Sequence, residues 1–172
     1  MLHSPFAKAS KPGSGPRHLV FHPADPVLFV VCELSNTLDV LIADSHSDSL
    51  LRHQSVSVFS KEPSTPNLAA AIRVHPSGER VYVSNRGDDS LSTFRYDKAS
   101  MRCELIETTP CGGSNPRDFV VDPSGRWILV ANQSSNTISR LELDPQTLVP
   151  HNPHVVAELS SPTCIILQES PS

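Results

Sequence analysis

The sequence predicts an all-β fold, a β-propeller built from four-stranded antiparallel blades. The first observation is a succession of short β-branched and aromatic segments separated by Pro- and Gly-containing turns, with no convincing helical pattern. The second is a composition of 16 prolines against 7 glycines, which suits many turns. The third is an internal repeat, because dipeptides that precede a turn and Asx residues that follow the next strand recur together. The dipeptides are His22-Pro23, His75-Pro76 and Asp122-Pro123, and the Asx residues are Asn36, Asp89 and Asn136.

Four strands about every 50 residues match the size of a propeller blade. A two-layer β-sandwich is the alternative, but a sandwich does not explain the same loop residues at fixed intervals. Taken in order, the chain is divided into a remnant strand and linker (1–14), three blades (15–67, 68–114 and 115–160), one closing strand (161–168) and a tail (169–172). Propellers usually have about four to eight blades. Three blades and one strand therefore lead us to expect the C-terminal half of a larger propeller.

The first blade shows how the strands are predicted. Its apolar segments are Leu19 to Phe21, Val27 to Cys32, Leu38 to Ala43 and Leu51 to Phe59. In the second blade, the stretch from Asn85 to Asp89 is predicted as a loop because it is rich in Asn, Asp and Gly. His22 and His75 are expected to be turn residues. Asn132, Ser134 and Ser135 are expected to bond to the backbone rather than to a ligand.

Composition excludes several classes of function. The net charge of −4 offers no general attraction to nucleic acid or to an anionic membrane surface, and no apolar run is long enough to span a bilayer. The four cysteines and eight histidines have no metal-ligand spacing, so no metal site and no cofactor are expected. We interpret the cysteines as reduced thiols of a cytoplasmic protein.

Turn arithmetic places several polar residues on one rim of the propeller. Residues equally distant from a hairpin turn face each other across the strands. On this basis Arg17 faces Glu33, Ala70 faces Arg86, and Arg117 faces Gln133. All three pairs lie at the open ends of their hairpins, which should surround the mouth of the central channel.

The rim combines three arginines with one carboxylate. Guanidinium groups at a concave mouth favour carboxylate or phosphate ligands, and Glu33 could orient a water molecule or accept its proton. A purely structural interpretation remains open, in which the arginines join adjacent blades and Glu33 is their counter-ion. His18 and Asp118 are further candidates, although strand alternation directs His18 away from Arg17 unless the strand begins after it.

Several motifs resemble those of the seven-bladed lactonase family, which includes cycloisomerase-type 6-phosphogluconolactonases and carboxy-cis,cis-muconate cyclases. The motifs are Gly15-Pro16-Arg17-His18-Leu19, Cys32-Glu33-Leu34, Ser84-Asn85-Arg86-Gly87, Asn115-Pro116-Arg117-Asp118-Phe119 and Ala131-Asn132-Gln133. The resemblance covers roughly residues 13 to 168. It implies a site in the channel mouth at Arg17, Glu33 and Arg86. Members of the family are about twice as long, and a histidine that the fungal cyclases use has no counterpart here.

The resulting hypothesis is a hydrolase that opens an anionic sugar lactone such as 6-phosphogluconolactone. Arg17, Arg86 and Glu33 are the expected catalytic residues, and Arg117, His18 and Gln133 are the expected substrate-binding residues. We expect the activity of this partial propeller to be impaired, and its open blade edges to allow self-association. The alternatives are a non-catalytic binding or scaffold module and a lactone-forming enzyme of the muconate-cyclase type.

Overall fold

A computed structural model describes residues 10–44, 49–61 and 65–168. These residues form twelve strands in three four-stranded antiparallel sheets, and each sheet is a simple meander. The strands are β1 (Pro16–Phe21), β2 (Val27–Cys32), β3 (Thr37–Ala43), β4 (Leu50–Ser57), β5 (Leu68–Val74), β6 (Arg80–Arg86), β7 (Ser90–Asp97), β8 (Arg102–Pro110), β9 (Pro116–Val121), β10 (Trp127–Asn132), β11 (Thr137–Leu143) and β12 (Pro150–Glu158). The predicted all-β fold of four-stranded antiparallel blades is confirmed. None of the described residues forms a helix that is long and apolar enough to cross a membrane.

The three sheets are blades packed face to face, with their first strands side by side. Strand β5 contacts both β1 and β9, and these three strands are called the inner wall below. Apolar residues alternate between the two faces of each blade. In blade 2 (β5–β8), Val81 and Val83 join the core shared with blade 1 (β1–β4), while Tyr82 joins the core shared with blade 3 (β9–β12). The inner wall is therefore held by two separate hydrophobic interfaces.

The repeated Asx residues join each blade to the next segment of chain. Asn36, Asp89 and Asn136 have positive φ angles of 52°, 54° and 59°, a conformation that Asn and Asp tolerate better than other side chains. The Oδ1 atom of each accepts a hydrogen bond from a downstream backbone N–H, donated by Ala69 (2.9 Å), Asn115 (2.7 Å) and Ser161 (2.9 Å) respectively. The repeated letters thus mark a connection between blades.

The turn histidines make a second connection between blades. The Nδ1 atom of His22 accepts the backbone N–H of Asp25 at 2.8 Å, so Nε2 carries the proton and donates to the carbonyl of Gly78 at 3.1 Å. His75 and Gly125 repeat this contact at 3.1 Å between blades 2 and 3. The two histidines, predicted only as turn residues, also join neighbouring hairpins.

The structure describes only part of the segments predicted at the two ends of the chain. Residues 1–9, within the predicted remnant strand, and the tail 169–172 lie outside the described residues. Residues 161–168, predicted as a closing strand, take part in no β-ladder of the described chain. This segment has no partner strand there. Its backbone contacts blade 3 through the N–H of Ser161, which donates to Asn136 Oδ1 at 2.9 Å, and the N–H of Ile165, which donates to Asp118 Oδ2 at 3.1 Å.

Candidate active site

The site is built on a β-bulge that recurs in the inner wall. In blade 1 the ladder passes from the pair Pro16–Cys32 to the pair His18–Val31, so Arg17 has no ladder partner. In blade 3, Arg117 likewise has no ladder partner, because the ladder passes from Pro116 to Asp118. A bulge gives one strand an extra residue and changes the direction of its side chain. The two arginines therefore project from equivalent irregular positions of blades 1 and 3, on either side of blade 2.

The observed strand pairings differ from those predicted by turn arithmetic. Arg17 does not pair with Glu33, nor Arg117 with Gln133, and Arg86 pairs with Leu68 rather than with Ala70. The hairpins are one residue out of the register expected from turn arithmetic, and the bulge adds a further residue. Arg86 also belongs to β6 and not to the predicted loop, because its backbone continues the ladder with β5.

Glu33 nevertheless lies between two arginines from different blades. Its Oε1 contacts the Nη2 atom of Arg86 in a short ion pair, and its Oε2 is 3.8 Å from the Nε atom of Arg17. The three side chains are 29%, 12% and 17% exposed for Glu33, Arg86 and Arg17, so each keeps a small surface open to solvent. The carboxylate is thus fixed in place while remaining accessible to a small molecule.

Arg17 also contacts the next blade and its own neighbour. Its Nη1 atom donates to the carbonyl of Ala70 at 2.7 Å and lies 3.1 Å from the Nε2 atom of His18. Burial and the nearby Arg86 guanidinium lower the pKa of Arg17 from its ordinary value, while Glu33 opposes this effect. His18 was expected to face away from Arg17. The bulge interrupts the alternation and places the two side chains together.

Arg117 has weaker partners than the other arginines of the site. Its Nη1 atom is 3.5 Å from the Oε1 atom of Gln133, and Asn115 Nδ2 lies at the same distance from that oxygen. The structure gives no ion pair between Arg117 and a carboxylate among the described residues. Arg117 is still close enough to influence the pKa of both Arg17 and His18. It therefore offers a half-buried guanidinium for a ligand anion.

Two further residues extend the site along the inner wall. Arg73 on β5 donates from Nη2 to Asp118 Oδ1 at 2.7 Å and lies over the ring of Phe119, 5.7 Å from its centroid. Arg73 is not among the predicted site residues, because valine occupies the equivalent position in the other two blades. The available signal was its spacing from Ala71: two residues apart on an inner strand, the two side chains lie on the same face of the blade. The residues Arg17, His18, Glu33, Arg73, Arg86, Arg117, Asp118 and Gln133 are called the arginine cluster below.

Comparison with known proteins decides the family. Residues 2–167 match the family model described as Lactonase, 7-bladed beta-propeller. The chain belongs to this family. It is 33% identical over 136 residues to a 6-phosphogluconolactonase of Bacillus subtilis, covering 79% of this chain and 39% of that protein. It is 37% identical over 139 residues to a 6-phosphogluconolactonase of Formosa agariphila, covering 80% and 38%.

A solved structure supports the same assignment. The periplasmic gluconolactonase PpgL of Pseudomonas aeruginosa superimposes with a TM-score of 0.83 at 32% identity, covering 90% of this chain and 43% of that structure. The chain thus spans about two fifths of the length of the lactonase-family proteins it matches.

The chemistry available to this lactonase-family site is that of arginines and carboxylates. The four cysteines are free, and burial raises the pKa of Cys103 and of Cys111 to about 12, which makes both poor nucleophiles. In the described part of the chain, no three His, Cys, Asp or Glu side chains are grouped as a metal site. A groove of about 670 Å³ lies between the outer strands β4 and β8, but none of its lining residues belongs to the arginine cluster.

Proposed function

We propose that this chain carries a lactonase site that opens an anionic sugar lactone, such as 6-phosphogluconolactone, by adding water. The observation that carries the proposal is Glu33, accessible to solvent and in contact with Arg86 and Arg17 from two blades. The names of the matched relatives support the substrate class. A carboxylate in this setting can accept a proton, and the adjacent guanidiniums can stabilise negative charge.

The proposed reaction uses these groups in a simple order. Glu33 orients a water molecule and takes its proton as the water oxygen bonds to the lactone carbonyl carbon. Arg17 or Arg86 stabilises the negative charge that develops on the carbonyl oxygen. When the tetrahedral intermediate collapses, the bond from the carbonyl carbon to the ring oxygen breaks, and that oxygen receives the proton. The product is an open-chain hydroxy acid.

Arg117 is proposed to bind the phosphate of the substrate. Within the described part of the chain its guanidinium makes one long contact, with Gln133, and a phosphate oxygen is a stronger acceptor than that amide oxygen. Gln133 contacts Arg117 and His18 contacts Arg17, and both side chains are proposed to contact the sugar. These roles use residues from blades 1 and 3, so the ligand would bridge the inner wall.

The test is the opening of 6-phosphogluconolactone, measured against the spontaneous rate in the same buffer. We expect the unmodified chain to exceed the spontaneous rate, and Glu33→Gln to lower the acceleration about 100-fold or more, since general base catalysis contributes about that much. Glu104→Gln is the matched control, because Glu104 also pairs with an arginine but is exposed on β8. A chain that does not exceed the spontaneous rate would contradict the proposal.

A non-catalytic role is the second candidate, and one observation favours it. The ion pair between Arg86 and Glu33 joins blade 2 to blade 1, which a purely structural contact would also do. In that case Glu33→Gln would lower the free energy of unfolding without changing any rate of lactone opening. Measuring urea unfolding beside the rate assay distinguishes the two roles.

A further inference from the structure

The contact between Arg17 and His18 defines the protonation state of the histidine. Arginine has only donors, so the Nε2 atom of His18, 3.1 Å from Arg17 Nη1, must be the acceptor. The proton of the neutral imidazole is then on Nδ1. His18 is half-buried and is the histidine of the arginine cluster.

The charged groups around His18 come from three directions. Arg17 is on its own strand β1, Arg73 is on β5, and Arg117 and Asp118 are on β9. Glu33 and Arg86 lie just beyond, at the ends of β2 and β6, and both contact Arg17. Four guanidiniums against two carboxylates leave an excess of positive charge. Burial, Arg17 and Arg73 lower the pKa of His18, and Asp118 opposes them only in part.

An anion bound to these arginines would favour the protonated form of His18. A ligand oxygen offers Arg17 a better acceptor than the imidazole, because charge-assisted bonds to anions are stronger. The Nε2 atom of His18 is then free. The negative charge of the ligand also offsets the guanidiniums that disfavour an imidazolium, and two negative charges offset more than one.

We propose that His18 is a specificity-determining residue that couples anion binding to the uptake of one proton, so that the site favours doubly charged ligands. The proton comes from solvent and is bound at Nε2, which becomes a donor to the ligand. Because binding equilibria are reciprocal, a lower pH must strengthen anion binding by the same factor by which the anion favours the imidazolium. The inference rests on the anion-binding part of the proposed function and not on lactone opening.

The probe is sulfate, whose charge is constant between pH 5 and pH 8, so that only the protein titrates. Sodium chloride at equal ionic strength controls for screening. Imidazole ¹⁵N and ¹H resonances of the unmodified chain report the tautomer and the titration of His18 directly. Without sulfate we expect the Nδ1–H tautomer, and with sulfate a titration shifted to higher pH. Sulfate affinity should rise about fivefold or more between pH 8 and pH 5.5, the lower range of typical coupling between sites.

Two variants complete the experiment. His18→Gln should bind sulfate with little dependence on pH, and His154→Gln, which changes an exposed histidine of β12, should behave as the unmodified chain. If His18→Gln does not fold, the imidazole titration of the unmodified chain still decides. Sulfate binding without a shift of His18 would overturn the coupling and leave the anion site standing. Absence of sulfate binding at every pH would overturn both the coupling and the anion-binding part of the proposed function.

Discussion

At the scale of single residues, the site depends on positions that leave the regular strand pattern. Arg17 and Arg117 are bulge residues, and the neighbouring His18 contacts Arg17 because alternation stops there. A regular strand would have placed these side chains on alternate faces. The bulge therefore determines which residues can act together.

Arg86 provides a test of whether charge or shape matters at this scale. Its Nη2 atom contacts Glu33, and its Nε atom is buried with no hydrogen-bond partner among the described residues. We expect Arg86→Ala to weaken binding of 6-phosphogluconate about tenfold or more, since charge-assisted hydrogen bonds contribute about 1.5–3 kcal/mol. Arg86→Lys should retain part of the affinity if charge dominates, and lose as much as alanine if the planar fork is required. Calorimetric titration measures both, and unchanged affinity in both variants would remove Arg86 from the site.

The sequence predicted which residues lie together in the arginine cluster better than it predicted how their strands pair. Arg17, Glu33 and Arg86 were selected from turn arithmetic, and the resemblance indicated the same residues. The ladder pairings were wrong for two reasons. Each hairpin is one residue out of the register expected from its turn, and the extra residue in the inner strand leaves no mark in the hydrophobic pattern. Arg73 and its ion pair with Asp118 were missed because the contact joins two blades, and no spacing within one hairpin predicts it.

At the scale of elements, the blades are held by short repeated contacts as well as by their cores. His22 and His75 donate to turn glycines of the following blade, and the Asx residues hold the chain between blades. The strand ladders could be predicted from the local pattern. These contacts between blades could only be recognised as repeated letters, since their partners are 26 to 56 residues away in the sequence.

Gly78 tests the contact between hairpins. Its φ is +82°, and a Cβ atom would lie 2.6 Å from His22 Nε2. We expect Gly78→Ala to lower the free energy of unfolding by about 2–3 kcal/mol, combining backbone strain with displacement of the histidine. Gly13→Ala is the matched control, because Gly13 has a φ of +83° and nothing within 4 Å of the added carbon. Urea unfolding should show the larger loss at Gly78, and equal losses would contradict the close approach.

At the scale of the whole molecule, the outward face of blade 3 differs from the packed faces. Trp127 lies there beneath the guanidiniums of Arg126 and Arg140, 5.6 and 5.5 Å from its ring centroid. No fourth sheet covers it in the described residues. Exposed apolar side chains come later in the sequence: Val156 on β12 is 47% exposed, and Ile166 is 85% exposed. Unpaired strand edges and apolar faces of this kind promote association.

We therefore expect this chain to self-associate through the segment 162–168 and the neighbouring face. Size-exclusion chromatography with light scattering should show a mass that increases with protein concentration. Ile166→Lys should reduce the association by placing a charge on the open edge. Leu34→Lys, at an exposed leucine 63% accessible in a different loop, should not. A monomer at all concentrations would contradict the expectation.

The central claim is that the arginine cluster binds an anionic lactone and opens it, and the comparison of two lactones tests it most directly. Initial rates above the spontaneous rate are measured for 6-phosphogluconolactone and for gluconolactone, with the unmodified chain and with Arg117→Gln. We predict a preference of about tenfold or more for the phosphorylated lactone, the equivalent of one charge-assisted contact, and its loss in the variant. Rates equal to the spontaneous rate for both lactones, or a preference that Arg117→Gln leaves unchanged, would contradict the account.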